Sequence, residues 1–196
     1  MRNHSRYLDG TGATSLLLRQ SQRSLIKSIQ SGTITIPINV VTNTSTVTGV
    51  VLANSVLLSL GWTHNSTGET NAGRYNLRIS LTNSTTITAT CYAAGPSSTP
   101  ITSWMLVEFM PGVIKTRQEG TISLTTVASV TATVTAVTVK KSALFPIGWS
   151  GGQDPSIAEG ASARLAVTNA TTITATKIGT SALAPMTVGY QLVEFF

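Results

Sequence analysis

The sequence predicts an all-β protein, with two tandem small β-sandwich or barrel-like domains that follow an extended N-terminal arm. Three observations support this prediction. Residues 25–110 and 111–196 are two copies of one unit. Short segments in each copy alternate polar and apolar residues and are rich in β-branched side chains. Gly, Pro and Asn separate these segments, as is typical of the turns between strands.

The two copies match most clearly at their ends. The first begins IKSIQSGTITI at Ile26 and the second begins IKTRQEGTISL at Ile114, and both end in LVEF, at Phe109 and Phe195. Each copy has the size of an independent small domain. We therefore expect one domain at 25–110 and another at 111–196, joined by a short Pro-Gly link. A catalytic site needs one asymmetric arrangement of side chains, so the duplication favours scaffolding or binding.

The arm, residues 1–24, is basic. The first 27 residues of the chain together carry +4 of the net charge of +6, and a short helix between Ser15 and Ser28 is the only helical candidate. A solvated tail is the simpler alternative, but we expect the arm to anchor the protein on a neighbouring subunit. The anchoring candidates are Arg2, Arg6, Leu16, Leu17, Arg19 and Arg23.

Within each copy the strands follow in order. Gly32–Ile36 alternates polar and apolar residues, and Leu77–Tyr92 reads as a hairpin that turns at Asn83. Asn169 marks the same turn in the second copy, and asparagine tolerates the positive φ of tight hairpin turns. The last strands, Ser103–Met110 and its counterpart 189–196, carry large apolar residues on both faces. Such a strand is central in its sheet or covered by a partner.

Charged residues make up 10% of the chain, against about 25% in an ordinary soluble domain. A surface with so few ions can pack against a neighbour with little desolvation cost. Cys91 is the single cysteine, so no intrachain disulfide can form. No apolar run reaches the ~18 residues of a membrane span, and no phosphate-binding loop or Cys/His cluster occurs. We expect no cofactor, no metal, no membrane contact and no nucleic-acid partner.

Candidate catalytic or metal-binding groups are few. His64, Ser66 and Glu69 lie in one loop without the rigid support that a nucleophile needs. Asp154 and Glu159 occupy the equivalent loop of the second copy, in a spacing that matches no known calcium loop. We favour a solvated loop in the first case and surface acids in the second, and we expect no enzymatic activity.

Glu108 and Glu194 recur at the same place in the last strand of each copy. They form either a paired functional site or structural ion pairs with the equally recurrent Arg78 and Arg164. We favour the ion pairs, because a partly buried carboxylate needs a partner.

Four aromatic residues recur in pairs. Trp62 matches Trp149, and Trp104 matches Tyr190. Exposed rings at these positions would suit stacking on sugars, whereas packed rings would anchor a core or an interface. Since few polar partners lie nearby in sequence, we favour the core or interface role.

The segments Ile26–Ile36 and Leu106–Phe109 resemble short β-rich modules encoded among the virion genes of tailed bacteriophages. The resemblance covers residues 25–196 and leaves the arm outside. The second copy departs from it at Thr116–Glu119, where the first has Ser28–Ser31. The resemblance implies a structural virion protein, of the capsid-decoration or tail-accessory kind, with no catalytic residues to assign.

We therefore expect a non-enzymatic protein of the virion, assembled in the host cytoplasm and attached to capsid or tail subunits through its arm. The apolar last strands need cover, so we expect a homo-oligomer, trimeric or larger. The alternative is a glycan-binding adhesin, used in attachment to a host surface glycan.

Overall fold

The computed structural model describes residues 24–64, 72–92, 98–152, 162–177 and 185–196. The predicted all-β class is confirmed, and the arm candidates from Arg2 to Arg23 lie outside the described residues. In the first copy the strands are β1 (Ile26–Thr35), β2 (Thr42–Thr46), β3 (Ser55–Thr63), β4 (Arg78–Asn83), β5 (Thr86–Thr90) and β6 (Ile101–Phe109). In the second copy they are β7 (Ile114–Leu124), β8 (Ser129–Thr133), β9 (Ser142–Gly151), β10 (Ala163–Asn169), β11 (Thr172–Lys177) and β12 (Met186–Phe195).

Short 3-10 turns occupy Leu52–Asn54, Ala72–Tyr75 and Val139–Lys141. The predicted helix from Ser15 is wrong over its last residues, because β1 already begins at Ile26. That segment pairs with β6, where Ile26 lies opposite Phe109.

The strands form three antiparallel sheets in the described part of the chain. One has the order β1-β6-β3, one the order β10-β11-β8, and the third runs through six strands in the order β2-β5-β4-β9-β12-β7. This third sheet crosses the boundary between the copies, because β4 of the first copy pairs with β9 of the second at Arg78 and Gly148. The two copies therefore share a sheet.

Each copy buries a core between two layers of three strands. In the first copy Leu57, Ile79 and Ile87 are fully buried, and in the second copy Leu124, Ile173 and Leu192 are buried in the same way. Burying a side chain of this size contributes about 1.5–3 kcal/mol. The last strands β6 and β12 are central in their layers, as their apolar faces predicted, and each lies between two partner strands.

The two predicted hairpins are confirmed as β4-β5 and β10-β11, although the reason given for their turns is wrong. Neither Asn83 nor Asn169 has a positive φ. The Asn83 Oδ1 atom instead accepts a hydrogen bond of 2.9 Å from the backbone N–H of Thr85. Asn169 does the same for Thr171, also at 2.9 Å. The asparagines therefore act through their side chains, in Asx turns.

A glycine lies opposite the core aromatic residue in each copy. Gly32 pairs with Trp104, and Gly120 pairs with Tyr190. A Cβ atom at Gly32 would lie 2.8 Å from the Trp104 ring, and one at Gly120 would lie 2.6 Å from the Tyr190 hydroxyl. Each ring therefore covers the bare backbone of its neighbouring strand, which explains why the glycine and the aromatic residue recur together.

Candidate functional site

The recurrent glutamates are almost completely buried and bind lysines. Glu108 Oε1 lies 2.9 Å from Lys27 Nζ, and Glu194 Oε1 lies 3.0 Å from Lys115 Nζ. The predicted ion pairs with Arg78 and Arg164 are therefore wrong. Glu108 lies on β6 beside β1, which carries Lys27, whereas Arg78 lies on β4 in the opposite layer.

Backbone groups complete both carboxylate sites. Glu108 Oε1 accepts a hydrogen bond of 3.0 Å from the N–H of Val51, and Glu194 Oε1 accepts one of 3.1 Å from Thr138. Burial acts to raise the pKa of Glu108, but the hydrogen bonds from Val51, Lys27 and Ser28 together lower it below its ordinary value. The pKa of Glu194 is also lowered, mainly by the hydrogen bond from Lys115. Both groups are thus structural carboxylates held in their charged form.

Arg78 lies at the junction between the copies. Its backbone pairs with Gly148, and a Cβ atom at Gly189 would lie 2.9 Å from the Arg78 Cδ atom. Burial lowers the pKa of Arg78, and the nearby carboxylate of Glu119 partly opposes this shift. This recurrent arginine of the first copy therefore packs across the outer face of the second copy.

A buried polar network continues this contact. Gln191, which has no exposed surface, accepts a hydrogen bond of 3.0 Å from the N–H of Leu57 in the first copy. Its Nε2 atom donates to Glu119 at 3.2 Å, and Glu119 forms an ion pair with Arg117. Gln191 thus gives a hydrogen-bond partner to the N–H of Leu57, which lies on the outer edge of β3 at the centre of the junction.

Equivalent aromatic residues of the two copies meet each other at the junction. The Trp62 and Trp149 rings lie edge to face, with centroids 4.7 Å apart and planes at 89°. The Trp62 indole N–H donates to Asn76 Oδ1 at 3.3 Å, and Asn76 donates to the carbonyl of Gly151 at 2.8 Å. The structure therefore places both tryptophans in an interface between the copies.

A second aromatic pair lies further along the same junction. The Phe109 and Phe195 rings are 6.2 Å apart in a T-shaped arrangement. They pack around the buried residues Val56, Ile114 and Val193, which come from both copies. Edge-to-face pairs of this kind add about 0.5–1.5 kcal/mol each beyond area burial.

Trp104 and Tyr190 lie elsewhere. Both are buried in the cores of their own copies. Of the roles predicted for them, the structure therefore supports the core rather than an interface or a glycan surface, since each ring covers a glycine inside its sandwich.

The junction uses different surfaces of the two copies. β4 of the first copy pairs with β9 of the second, but the equivalent strands β10 and β3 do not pair. As a result, equivalent residues have different surroundings. Ile147 of β9 is 1% exposed, whereas its counterpart Leu60 of β3 is 55% exposed. A Cβ atom at Gly148 would lie 2.2 Å from the carbonyl oxygen of Leu77, whereas one at Gly61 would meet nothing within 4 Å.

Of the loop groups considered for catalysis or metal binding, only His64 lies in the described part of the chain. His64 is exposed, with its ring 5.4 Å from that of Tyr75, while Ser66, Glu69, Asp154 and Glu159 lie outside the described residues. Over the described ranges, no three His, Cys, Asp or Glu side chains are placed to hold a metal ion. In the same ranges no helix is long and apolar enough to cross a bilayer.

Comparison with known protein families, with curated proteins and with solved structures finds no match for this chain.

Sequence reasoning singled out some residues of the junction, such as Trp62 and Trp149, but missed Gln191 and Asn76 and the junction itself. The positions Gly61 and Gly148 follow matching apolar runs, and Arg78 and Arg164 recur, so each was visible as a repeated residue. Their different environments depend on which strand edges meet, which the repeat alone does not specify. The junction packs the surface of one copy against the surface of the other.

Proposed function

We propose that this chain is a non-enzymatic structural protein of a bacteriophage particle, attached to capsid or tail subunits through its basic arm. The observation that carries the proposal is the junction between the copies. There the unit packs against a second version of itself through two aromatic pairs, a small apolar cluster and one buried polar network.

The composition of the junction supports this role. Its centre holds two aromatic pairs, the buried residues Val56 and Val193, and a single polar network around Gln191. Permanent subunit contacts are likewise apolar at the centre. A module that binds its own copy in this way is suited to assembly.

The glycan-binding alternative receives less support. Of its four aromatic candidates, Trp104 and Tyr190 are buried in the cores, and Trp62 and Trp149 pack against each other. Only Trp62 and Trp149, both half-buried, keep some exposed ring surface.

The test is incorporation into particles of the phage that encodes the chain. Deleting residues 1–24 should abolish incorporation, measured as the amount of the chain in purified virions, while the β-sheet circular dichroism signal and melting temperature stay unchanged. Val127→Asp, at an exposed turn position of the second copy, is the control and should be incorporated normally. Normal incorporation of the truncated chain would refute the anchoring role, and absence of the full-length chain from virions would refute the proposal as a whole.

A further inference from the structure

A polar recess lies at the junction between the copies, beside strands of the six-stranded sheet. Its volume is about 320 Å³, near the lower limit of ligand pockets. The polar side chains that line it come from both copies: Arg78 and Ser80 on β4, and Arg117, Glu119 and Thr121 on β7. A recess of this size suits a small molecule or a single side chain.

The two arginines of this recess have buried nitrogen atoms without a partner. The Nε atoms of Arg78 and Arg117 are both buried, and neither has a hydrogen-bond acceptor in the described part of the chain. The whole Arg117 side chain is only 10% exposed. A buried donor without an acceptor costs free energy, and most such groups in folded proteins are paired. Since both arginines line the recess, an acceptor bound there would meet two guanidinium groups.

The charges that line the recess do not balance. Arg78 and Arg117 contribute two positive charges, and Glu119 contributes one negative charge. Glu119 forms its ion pair with Arg117 and acts on Arg78 only as a nearby charge. One positive charge therefore remains without an ion-pair partner in the recess, and it belongs to Arg78.

The junction holds the Arg78 side chain in position. The Arg78 backbone pairs with Gly148, and its Cγ and Cδ atoms lie 2.9 Å from the place that a Cβ atom would take at Gly189. Because both neighbours are glycines, the stem of Arg78 can lie across their strands towards the β7 residues of the recess. A guanidinium group whose stem is already packed loses little side-chain entropy when it binds a ligand. The equivalent Arg164 is exposed, whereas Arg78 is half-buried.

We propose that this recess binds one carboxylate group, held by Arg78 together with the hydroxyl groups of Ser80 and Thr121. Arginine binds carboxylates through two parallel N–H···O hydrogen bonds. The single unpaired charge matches a monovalent carboxylate, whereas Glu119 would repel a divalent phosphate more strongly. The carboxylate belongs either to a small molecule or to an acidic side chain of another protein. The proposed structural function does not depend on this site.

The test is an NMR titration of the full-length chain with sodium acetate at constant ionic strength. In the wild type the Arg78 Nε–H signal should shift and saturate. Arg78→Gln should raise the dissociation constant of acetate, followed at the backbone amide of Gly120, by about tenfold or more, because charge-assisted hydrogen bonds are lost. Arg164→Gln is the matched control, since Arg164 is the exposed counterpart of Arg78; it should bind acetate like the wild type. No saturable shift at Arg78 of the wild type, or an equal shift at Arg164, would overturn the proposal.

Two further titrations define the ligand. Phosphate at about pH 8, where it is mostly divalent, should bind about tenfold more weakly than acetate, and equal or tighter binding would reject a carboxylate site. A peptide with blocked ends and a single glutamate distinguishes the two sources. Binding of both acetate and the peptide would support the site and identify an acidic side chain of a partner, whereas binding of acetate alone would support it and identify a small molecule. None of these results depends on virion incorporation, so this inference and the proposed function can fail separately.

Discussion

Gly61 and Gly148 occupy the same place in the two copies and share the same backbone conformation. Their φ angles are 104° and 86°, both in the region that favours glycine. Both lie where the pairing of their strand with the last strand is irregular, between Ser59 and Trp62 in the first copy and opposite Val188 to Tyr190 in the second. At Gly148 the absence of a side chain allows the backbone of Leu77 to approach.

This pair of glycines gives a matched test of the junction. Gly61→Ala should cost about 1–2 kcal/mol through backbone strain alone. Gly148→Ala should cost about 1–3 kcal/mol more, because its Cβ atom would overlap the Leu77 carbonyl oxygen. Urea denaturation of dilute protein measures both losses. Equal losses would mean that the close approach at Gly148 contributes nothing to stability.

At the scale of the strand, each last strand carries a buried carboxylate that ties it to the first strand and to the turn before the third. Lys27 lies on β1 and Val51 precedes the 3-10 turn, so Glu108 connects three separate segments of the first copy. A second recurrent set of hydrogen bonds lies nearby. Gln30 bonds both backbone groups of Thr48, and Gln118 does the same for Thr135. These contacts fix how the connecting segments lie against the sheet.

The lowered pKa values of Glu108 and Glu194 predict acid sensitivity. A carboxylate with a folded-state pKa below its ordinary value of 4.5 stabilises the protein above that pH, and this stabilisation is lost as the pH falls through the folded-state pKa. The melting temperature should therefore be steady near neutral pH and fall below about pH 4.5. The variant Glu108→Gln with Glu194→Gln should melt several degrees lower at pH 7 and lose less on acidification. An unchanged acid profile in that variant would contradict this assignment.

The sequence predicted the hairpins and the last strands but not the partners of their side chains. Alternation and asparagine turns predicted the hairpins β4-β5 and β10-β11, and the doubly apolar segments predicted the central strands. The partners of Glu108 and Glu194 were assigned wrongly because they depend on strand register. Lys27 and Glu108 are far apart in the chain, and either lysine or arginine can satisfy a carboxylate. The glycine-aromatic pairs depend on register in the same way.

At the scale of the whole molecule, the two copies share structure. Ile147 of the second copy belongs to the core of the first, and a third cluster of Val56, Ile114 and Val193 combines both. The repeat predicted where each unit begins and ends. It did not predict the shared sheet, because identical units can pack through several combinations of edges.

This shared structure predicts one cooperative unfolding event. Differential scanning calorimetry should show a single transition whose calorimetric and van't Hoff enthalpies agree. Residues 111–196 alone should melt at a lower temperature than the full chain, because Gln191 and Val193 would lose their cover. Two resolved transitions, or an isolated second copy as stable as the full chain, would show that the copies fold independently.

The buried polar network also gives the chain a direction. Arg117, Glu119 and Gln191 are matched to the strands of the preceding half, whereas the first half holds Ile29, Ser31 and Met105 at those positions. The two copies of the unit have thus acquired different surfaces, which are no longer interchangeable. A chain with its two copies in the opposite order would bring two unmatched surfaces together. The fold therefore depends on the order of the copies along the chain.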